Sequence, residues 1–231
     1  MSTKMRATSR TGSEDTKNQI KAAAQLLFAR HGVDAVTVQQ IVAASGQRNN
    51  AALHYYFGSK EELIRQLVVD GAAVLDERRR GMLHELELRG APSTIREVLL
   101  VLVMPVIELG DDERWRGYIR FTSSLQASDR KTLRAALNNR WNAGYVACFA
   151  HLKRMLPLPA ALIEQRLSIF SIYANAILSA REAAQETRKS SNSNRLWDQR
   201  FTIENILDTL EATITCPPSA QTLAILESEK P

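Results

Sequence analysis

The chain has only two cysteines, Cys148 and Cys216, far apart and without paired-thiol spacing. That excludes a disulfide-stapled scaffold and reads as two idle thiols in a reducing cytoplasm. Aromatic residues make up 6% of the sequence, and glycine and proline number ten and seven. So few breakers in 231 residues argue against a short-stranded β fold and for long helices. No apolar run is long enough to span a bilayer: the longest, Val98 to Ile107, is interrupted by Pro105. Met1 to Arg10 carries Lys4, Arg6 and Arg10 with no apolar stretch, which does not fit a secretion signal. Histidines His31, His54, His84 and His151 show no paired metal-ligand spacing, and no phosphate-cradling glycine loop or nucleophile elbow occurs. The sequence therefore calls for no cofactor, no metal and no catalytic residue. No internal repeat is present.

What is there is an ordinary globular balance, 45% apolar and 24% charged, with the charge unevenly spread. Residues 1–60 hold eight Lys/Arg against three Asp/Glu, and the remaining 22 of each sign cancel, so the formal excess of +5 lies in the first quarter. A polyanion would be drawn there, its counterions released on contact. The helical pattern starts near Ser13, with Ile20, Ala23, Ala24, Leu27 and Phe28 on one face, and stops at Gly32. Thr37-Val38-Gln39-Gln40 has the form of a capping box and opens a second helix ending at Ser45-Gly46. A third runs from about Ala51 to Tyr56, and Ser59-Lys60-Glu61-Glu62 caps a fourth toward Arg80. Farther on, Thr94-Ile95-Arg96-Glu97 caps a fifth helix that Pro105 should kink or end. Helices follow around Glu113–Ser123, from Asp129 to Leu156, from Ala160 to about Arg188 and from Trp197 to Thr215, with Lys189 to Arg195 as a loop. The fold expected is all-α.

Three short helices in about fifty residues, joined by glycine turns, match a helix-turn-helix module. Leu27, Phe28, Ile41, Val42, Leu53 and Phe57 would be its apolar platform. Arg48, Asn49, Asn50, His54 and Tyr56 lie on the other side, hydrogen-bonding groups with few acids among them. The stretch resembles the TetR family of bacterial regulators through Gly32, Thr37, Ile41-Val42-Ala43-Ala44-Ser45-Gly46 and Leu53-His54-Tyr55-Tyr56-Phe57-Gly58-Ser59-Lys60-Glu61-Glu62-Leu63. It departs in two places. His54 stands where the family carries Tyr, and one extra residue separates Gly46 from Phe57. The resemblance implies that Thr37, Tyr56 and Lys60 hold phosphates and that Gln47, Arg48, Asn49 and Asn50 lie where bases are read. His54 and Tyr55 join them as DNA-binding candidates, and Phe57 is packing.

The same resemblance divides the chain into a disordered basic arm at 1–12, a DNA-binding domain at 13–62, a helical ligand-binding and dimerisation domain at 63–215, and a tail at 216–231. Met104, Trp115, Tyr118, Phe121, Trp141, Tyr145, Phe149 and Phe170 concentrate aromatic surface in the middle helices and are the pocket candidates. Arg114, Arg116 and Arg120 beside them would suit an anionic or aromatic ligand, or a solvated charged face. Two apolar stripes are dimer-interface candidates: Leu167, Ser171, Ala174, Asn175 and Leu178 in one helix, Phe201, Ile206 and Leu210 in the next. The alternative is that these stripes serve only the subunit core. The function expected is a cytoplasmic, homodimeric repressor released from a palindromic DNA operator by an unknown small molecule, with no membrane contact. Two other readings stand beside it: a ligand-independent architectural DNA binder, and a helical enzyme with His84, Glu85 and Glu87 as its acid/base set.

Overall fold

The computed structural model describes residues 3–138, 140–187, 197 and 199–228, and every regular element among them is a helix. In chain order these are α1 (Thr3–His31), α2 (Val38–Ala44), α3 (Ala51–Phe57), α4 (Lys60–Leu88), α5 (Ile95–Asp111), α6 (Tyr118–Ser128), α7 (Arg130–Leu137), α8 (Ala143–Met155), α9 (Ala160–Thr187), α10 (Thr202–Thr215) and α11 (Ala220–Ser228), with a 3₁₀ turn at Glu113–Trp115. None of the described helices is long and apolar enough to cross a membrane.

Local chemistry sets most boundaries. Thr37 accepts from the Gln40 amide while the Gln40 side chain accepts from the Thr37 amide, the reciprocal box that starts α2. At its end Gly46 takes a positive φ of 74°, and the amides of Gly46 and Gln47 return to the carbonyls of Ala43 and Val42. That pair of bonds needs a left-handed residue, which glycine supplies without a Cβ clash. Ser59 caps α4, and Thr94 with Glu97 caps α5.

Several boundaries differ from the sequence pattern. Helix α1 begins at Thr3, so the stretch read as a disordered arm is helical from there; it contains no proline to prevent it. Helix α4 passes Arg80 and ends at Leu88, where Gly90 closes it. Pro105 lies inside α5 without ending it. It has no amide for the carbonyl of Val101, and Arg79 donates to the adjacent carbonyl of Leu102 at 3.0 Å. The helix expected from Asp129 to Leu156 is two: Asn138 adopts φ 43°, a conformation asparagine tolerates, and ends α7. The last long helix starts at Thr202, and the tail forms α11 with Ser219 accepting from the Thr222 amide. The loop expected at Lys189 to Arg195 falls outside the described residues.

Helices α1 to α3 and the start of α4 share one small core, in which Ile20, Phe28, Ile41, Leu53 and Leu63 are wholly buried. It is continuous with the body. Phe28 stacks on Phe121 of α6, ring centroids 5.6 Å apart and planes 28° from parallel. Below this contact α4 and α6 approach so closely that a Cβ on Gly71 would lie 2.3 Å from the Tyr118 ring. The Tyr118 hydroxyl donates to the carbonyl of Val68 at 2.9 Å. A second close approach brings Gly144 of α8 against α4, where Asp76 accepts the Gly144 amide at 2.7 Å.

Gly71→Ala is expected to destabilise the protein by about 1–3 kcal/mol, because the added methyl drives Tyr118 off its seat. Gly81→Ala, in the same helix but with open space around it, is expected to stabilise by up to about 1 kcal/mol. Urea unfolding of both variants checks the pair, and equal effects would contradict the packing described.

Candidate nucleic-acid interface and the cavity behind it

The face of the head opposite its core is built from the α2–α3 turn and α3. Arg48, Asn49 and Asn50 are exposed and border a groove with Gln39, Ala43 and Gln47. The Asn49 side chain accepts the Ala51 amide at 2.9 Å, so it fixes the start of α3 with its oxygen and keeps its amide N–H groups outward. Gln47 is tied back to Gln19 of α1 at 3.3 Å. Thr37 is exposed, its hydroxyl occupied by the capping box. His54 lies 2.9 Å from the carbonyl of Gly58 through Nδ1; a carbonyl only accepts, so Nδ1 carries hydrogen. His54 thus closes α3, a role the sequence did not suggest. Tyr56 is half-buried against the core, and Tyr55 packs edge-on to it. Tyr55 is otherwise free, 81% exposed, the most exposed of the large apolar side chains described. Lys60 is half-buried with its ammonium 5.9 Å from the centre of the Phe28 ring. Phe57, expected as packing, is buried.

Behind the head, a cavity of about 290 Å³ lies among α4, α5, α6, α7, α8 and α9. Of the eight aromatic and methionine candidates, the structure brings Tyr118, Trp141 and Tyr145 to its wall. The other five are elsewhere. Met104 packs on the core, Trp115 lies edge-on to Tyr118, Phe121 belongs to the head–body contact, and Phe149 stacks on Tyr145 with Phe170 behind it. Helical periodicity marked these residues as inward-facing but could not say which side of the body they face.

The arginines Arg114, Arg116 and Arg120 are engaged by acids. Arg114 pairs with Asp112, Arg116 with Glu113, and Arg120 with Glu182 and Glu186. The last belongs to a network joining head to body: Glu186 of α9 holds both Arg30 of α1 and Arg120 of α6. Glu182, one turn earlier, accepts the amides of Ile119 at 3.2 Å and Arg120 at 2.8 Å, so α9 caps an α6 whose own cap position is Gly117. Burial pushes the Glu182 carboxyl up against the pull of those amides and of Arg120. Burial pushes Glu186 the same way, but its bonds to Arg30 and Arg120 outweigh it and hold the carboxyl below its ordinary range.

A different arginine, Arg79, lies on the cavity wall. Its Nε is closed to solvent and lacks a hydrogen-bond partner among the described residues, as does Oδ1 of Asn142, also on the wall. Nothing in the residue pattern points to this, since Arg79 sits in the charged run Asp76-Glu77-Arg78-Arg79-Arg80. Burial pushes its guanidinium pKa down, opposed by the dipoles and charges of Cys148, Tyr145, Tyr118 and Asp76. Cys148 is buried beside it, its thiol pushed up to about 12 and so unreactive near neutral pH.

The dimer-interface candidates need correction. Leu167, Leu178, Ile206 and Leu210 are in the subunit core, at most 7% exposed, and cannot meet a partner. Ser171 and Asn175 face inward to Tyr145 and Gln126, at 2.9 and 2.7 Å. Ala174 is half-buried, and Phe201 stands 62% exposed. The reason is that α9 is apolar on two faces. The stripe singled out is the inner one, packed on α5, α6 and α10, whereas Ile169, Ile172, Ala176 and Ala180 line the outer one.

Residues 20–67 match the family model described as bacterial regulatory proteins, tetR family. The fold is similar to that of a TetR family transcriptional regulator, PfmR, from Thermus thermophilus, at 14% identity and TM-score 0.54, covering 86% of this chain and 99% of that one. It is also similar to a transcriptional regulatory protein, RHA5900, at 17% identity and TM-score 0.54, covering 88% and 99%. At these identities the likeness is one of fold. Comparison with curated proteins returns no match.

The head–body network carries a pH signature. Because the folded state holds Glu186 more acidic than the unfolded chain does, its contribution is present above the ordinary glutamate range, about 4.3, and is lost as pH falls through the lower folded value. The stability of the wild type relative to Glu186→Gln is therefore expected to shrink as pH is lowered through this range, measured by urea unfolding. A difference flat in pH would contradict it.

Proposed function

We propose that this chain, whose residues 20–67 match the model of the tetR family of bacterial regulatory proteins, is a regulator of that family: a homodimeric, DNA-binding repressor released by a small molecule held behind its head. The observation that carries the reading is the outward face of α3. Tyr55 of α3 is 81% exposed, touching the half-buried Tyr56 only edge-on, and Arg48, Asn49 and Asn50 leading into the same helix are exposed as well. A lone tyrosine so exposed gains little in water, but on a duplex its ring and hydroxyl meet sugar and phosphate. The basic excess of the first sixty residues favours the same partner.

Release by a ligand requires that it bind one arrangement of the head better than another. Helix α6 suits that role. Tyr118, Ile119 and Thr122 line the cavity, while Phe121 and Gly117 of the same helix press on Phe28 and Ala29 of α1. Helix α4 also lines the cavity and joins head to body, so both helices would transmit the change. For the dimer, the outer stripe of α9, with Ile169 49% and Ile172 67% exposed, supplies the apolar surface that water disfavours.

Purified protein is expected to bind a duplex from its own promoter region with an affinity that falls steeply with salt. Tyr55→Ala should weaken this binding without changing the melting temperature, and Arg48→Ala should lower the salt slope by about one. Fluorescence anisotropy across a salt series checks both; absence of salt-dependent binding would overturn the DNA-binding reading. Ile172→Glu is expected to convert a dimer to a folded monomer at micromolar concentration in sedimentation velocity, and an unchanged sedimentation coefficient would remove the outer face of α9 from the interface.

A further inference from the structure

The reading above leaves the ligand unspecified, and the cavity wall narrows it. Three arginines, Arg79, Arg130 and Arg134, border this cavity, and no carboxylate does among the described residues. Arg130 and Arg134 of α7 are exposed, whereas Arg79 is half-buried, its Nε closed to solvent, 5.7 Å from the centre of the Tyr145 ring and bonded to the carbonyl of Leu102. The arginines of the neighbouring acid-lined surface are, by contrast, matched by glutamates and aspartates. A guanidinium with its Nε closed from water and without a partner costs free energy that an anion would recover. Its idle donor, Nε, belongs to the edge that meets a carboxylate. The rest of the wall is mostly apolar and aromatic, Val68, Leu75, Leu133 and Trp141 among them, with Thr122, Gln126 and Asn175 as neutral polar groups.

We propose that this cavity receives a small organic carboxylate with an apolar, aromatic-compatible body, its head group on Arg79 and its approach favoured by Arg130 and Arg134. Asn142, whose Oδ1 lacks a partner, supplies the second polar contact, for a hydroxyl or amide N–H on the same molecule. The proposal rests on the ligand-responsive reading of the same cavity but fails separately from it.

The test is calorimetric titration of the full-length protein with three probes sharing one body: 4-phenylbutyrate, 4-phenylbutanol and 4-phenylbutylamine. The carboxylate is expected to bind at least about tenfold more tightly than the alcohol, as a hydrogen bond to a charged group supplies, and the amine not to bind. Arg130→Ala with Arg134→Ala, both exposed, should leave the fold intact, weaken the carboxylate several-fold and leave the alcohol unchanged. Arg79→Met should abolish the preference for the carboxylate, with circular dichroism to show that it folds. Equal or tighter binding of alcohol or amine, or no binding of any probe, overturns the proposal. If 4-phenylbutyrate binds without weakening duplex affinity, the ligand class stands and release by ligand fails. If 4-phenylbutanol alone weakens duplex affinity, release stands and the carboxylate assignment falls.

Discussion

The stacking of Phe28 on Phe121 is the contact on which the rest of the molecule depends. A head of about fifty residues buries only a marginal core of its own, and its largest fully buried side chain, Phe28, is completed by a residue of α6. The head therefore cannot be tilted without disturbing the body, and the body cannot repack without the head registering it. Around this pair the links multiply. Lys21 of α1 bonds Asp70 of α4 at 2.6 Å, Gln25 donates to the carbonyl of Arg116 at 2.9 Å, and Arg30 reaches Glu186. Three polar ties from one helix to three parts of the body specify a single orientation where an apolar contact alone would allow sliding.

Polar groups buried in the body fall into two kinds. Asp76, Glu182 and the Tyr118 hydroxyl are satisfied, each spent on holding one helix to another. Arg79 Nε, Asn142 Oδ1 and Arg120 Nε lack a hydrogen-bond partner, although Arg120 Nε lies 3.4 Å from the Glu182 carboxylate. Satisfied buried groups are structural cement; a buried charge left short of partners costs stability. Two of these three atoms, Arg79 Nε and Asn142 Oδ1, lie on one cavity wall, which no carboxylate among the described residues lines.

Much of the head was legible in the sequence because its signals are local. Thr37–Gln40 and Ser59–Glu62 announce helix starts, Gly32 and Gly46 announce ends, and Ile41, Leu53 and Phe57 repeat with the helical period. The body was less legible, for reasons that are tertiary. Both faces of α9 are apolar, so periodicity could not separate Leu167 and Leu178, inside, from Ile169 and Ile172, outside. Asn138 ends a helix by adopting a conformation that its sequence permits but does not demand. Arg79 reads as one of a run of solvated charges, and it is tertiary packing on α4 that closes its Nε from water. Conversely, Arg114, Arg116 and Arg120 suggested an anion site beside the aromatics, and their acid partners, some distant in sequence, could not be foreseen.

The seat of Tyr118 on Gly71 also has a mechanical consequence. Helix α4 is one unbroken rod from Lys60 to Leu88, and Gly71 divides it into arms of unequal length. The arm toward the head is eleven residues, about 16 Å at 1.5 Å per residue. With the Tyr118 ring as fulcrum, a tilt of about 10° in α4 carries Lys60 sideways by about 3 Å, a leverage set by that geometry. A small change of angle at the ring is in this way converted into a displacement of ångström size at the head end of the rod.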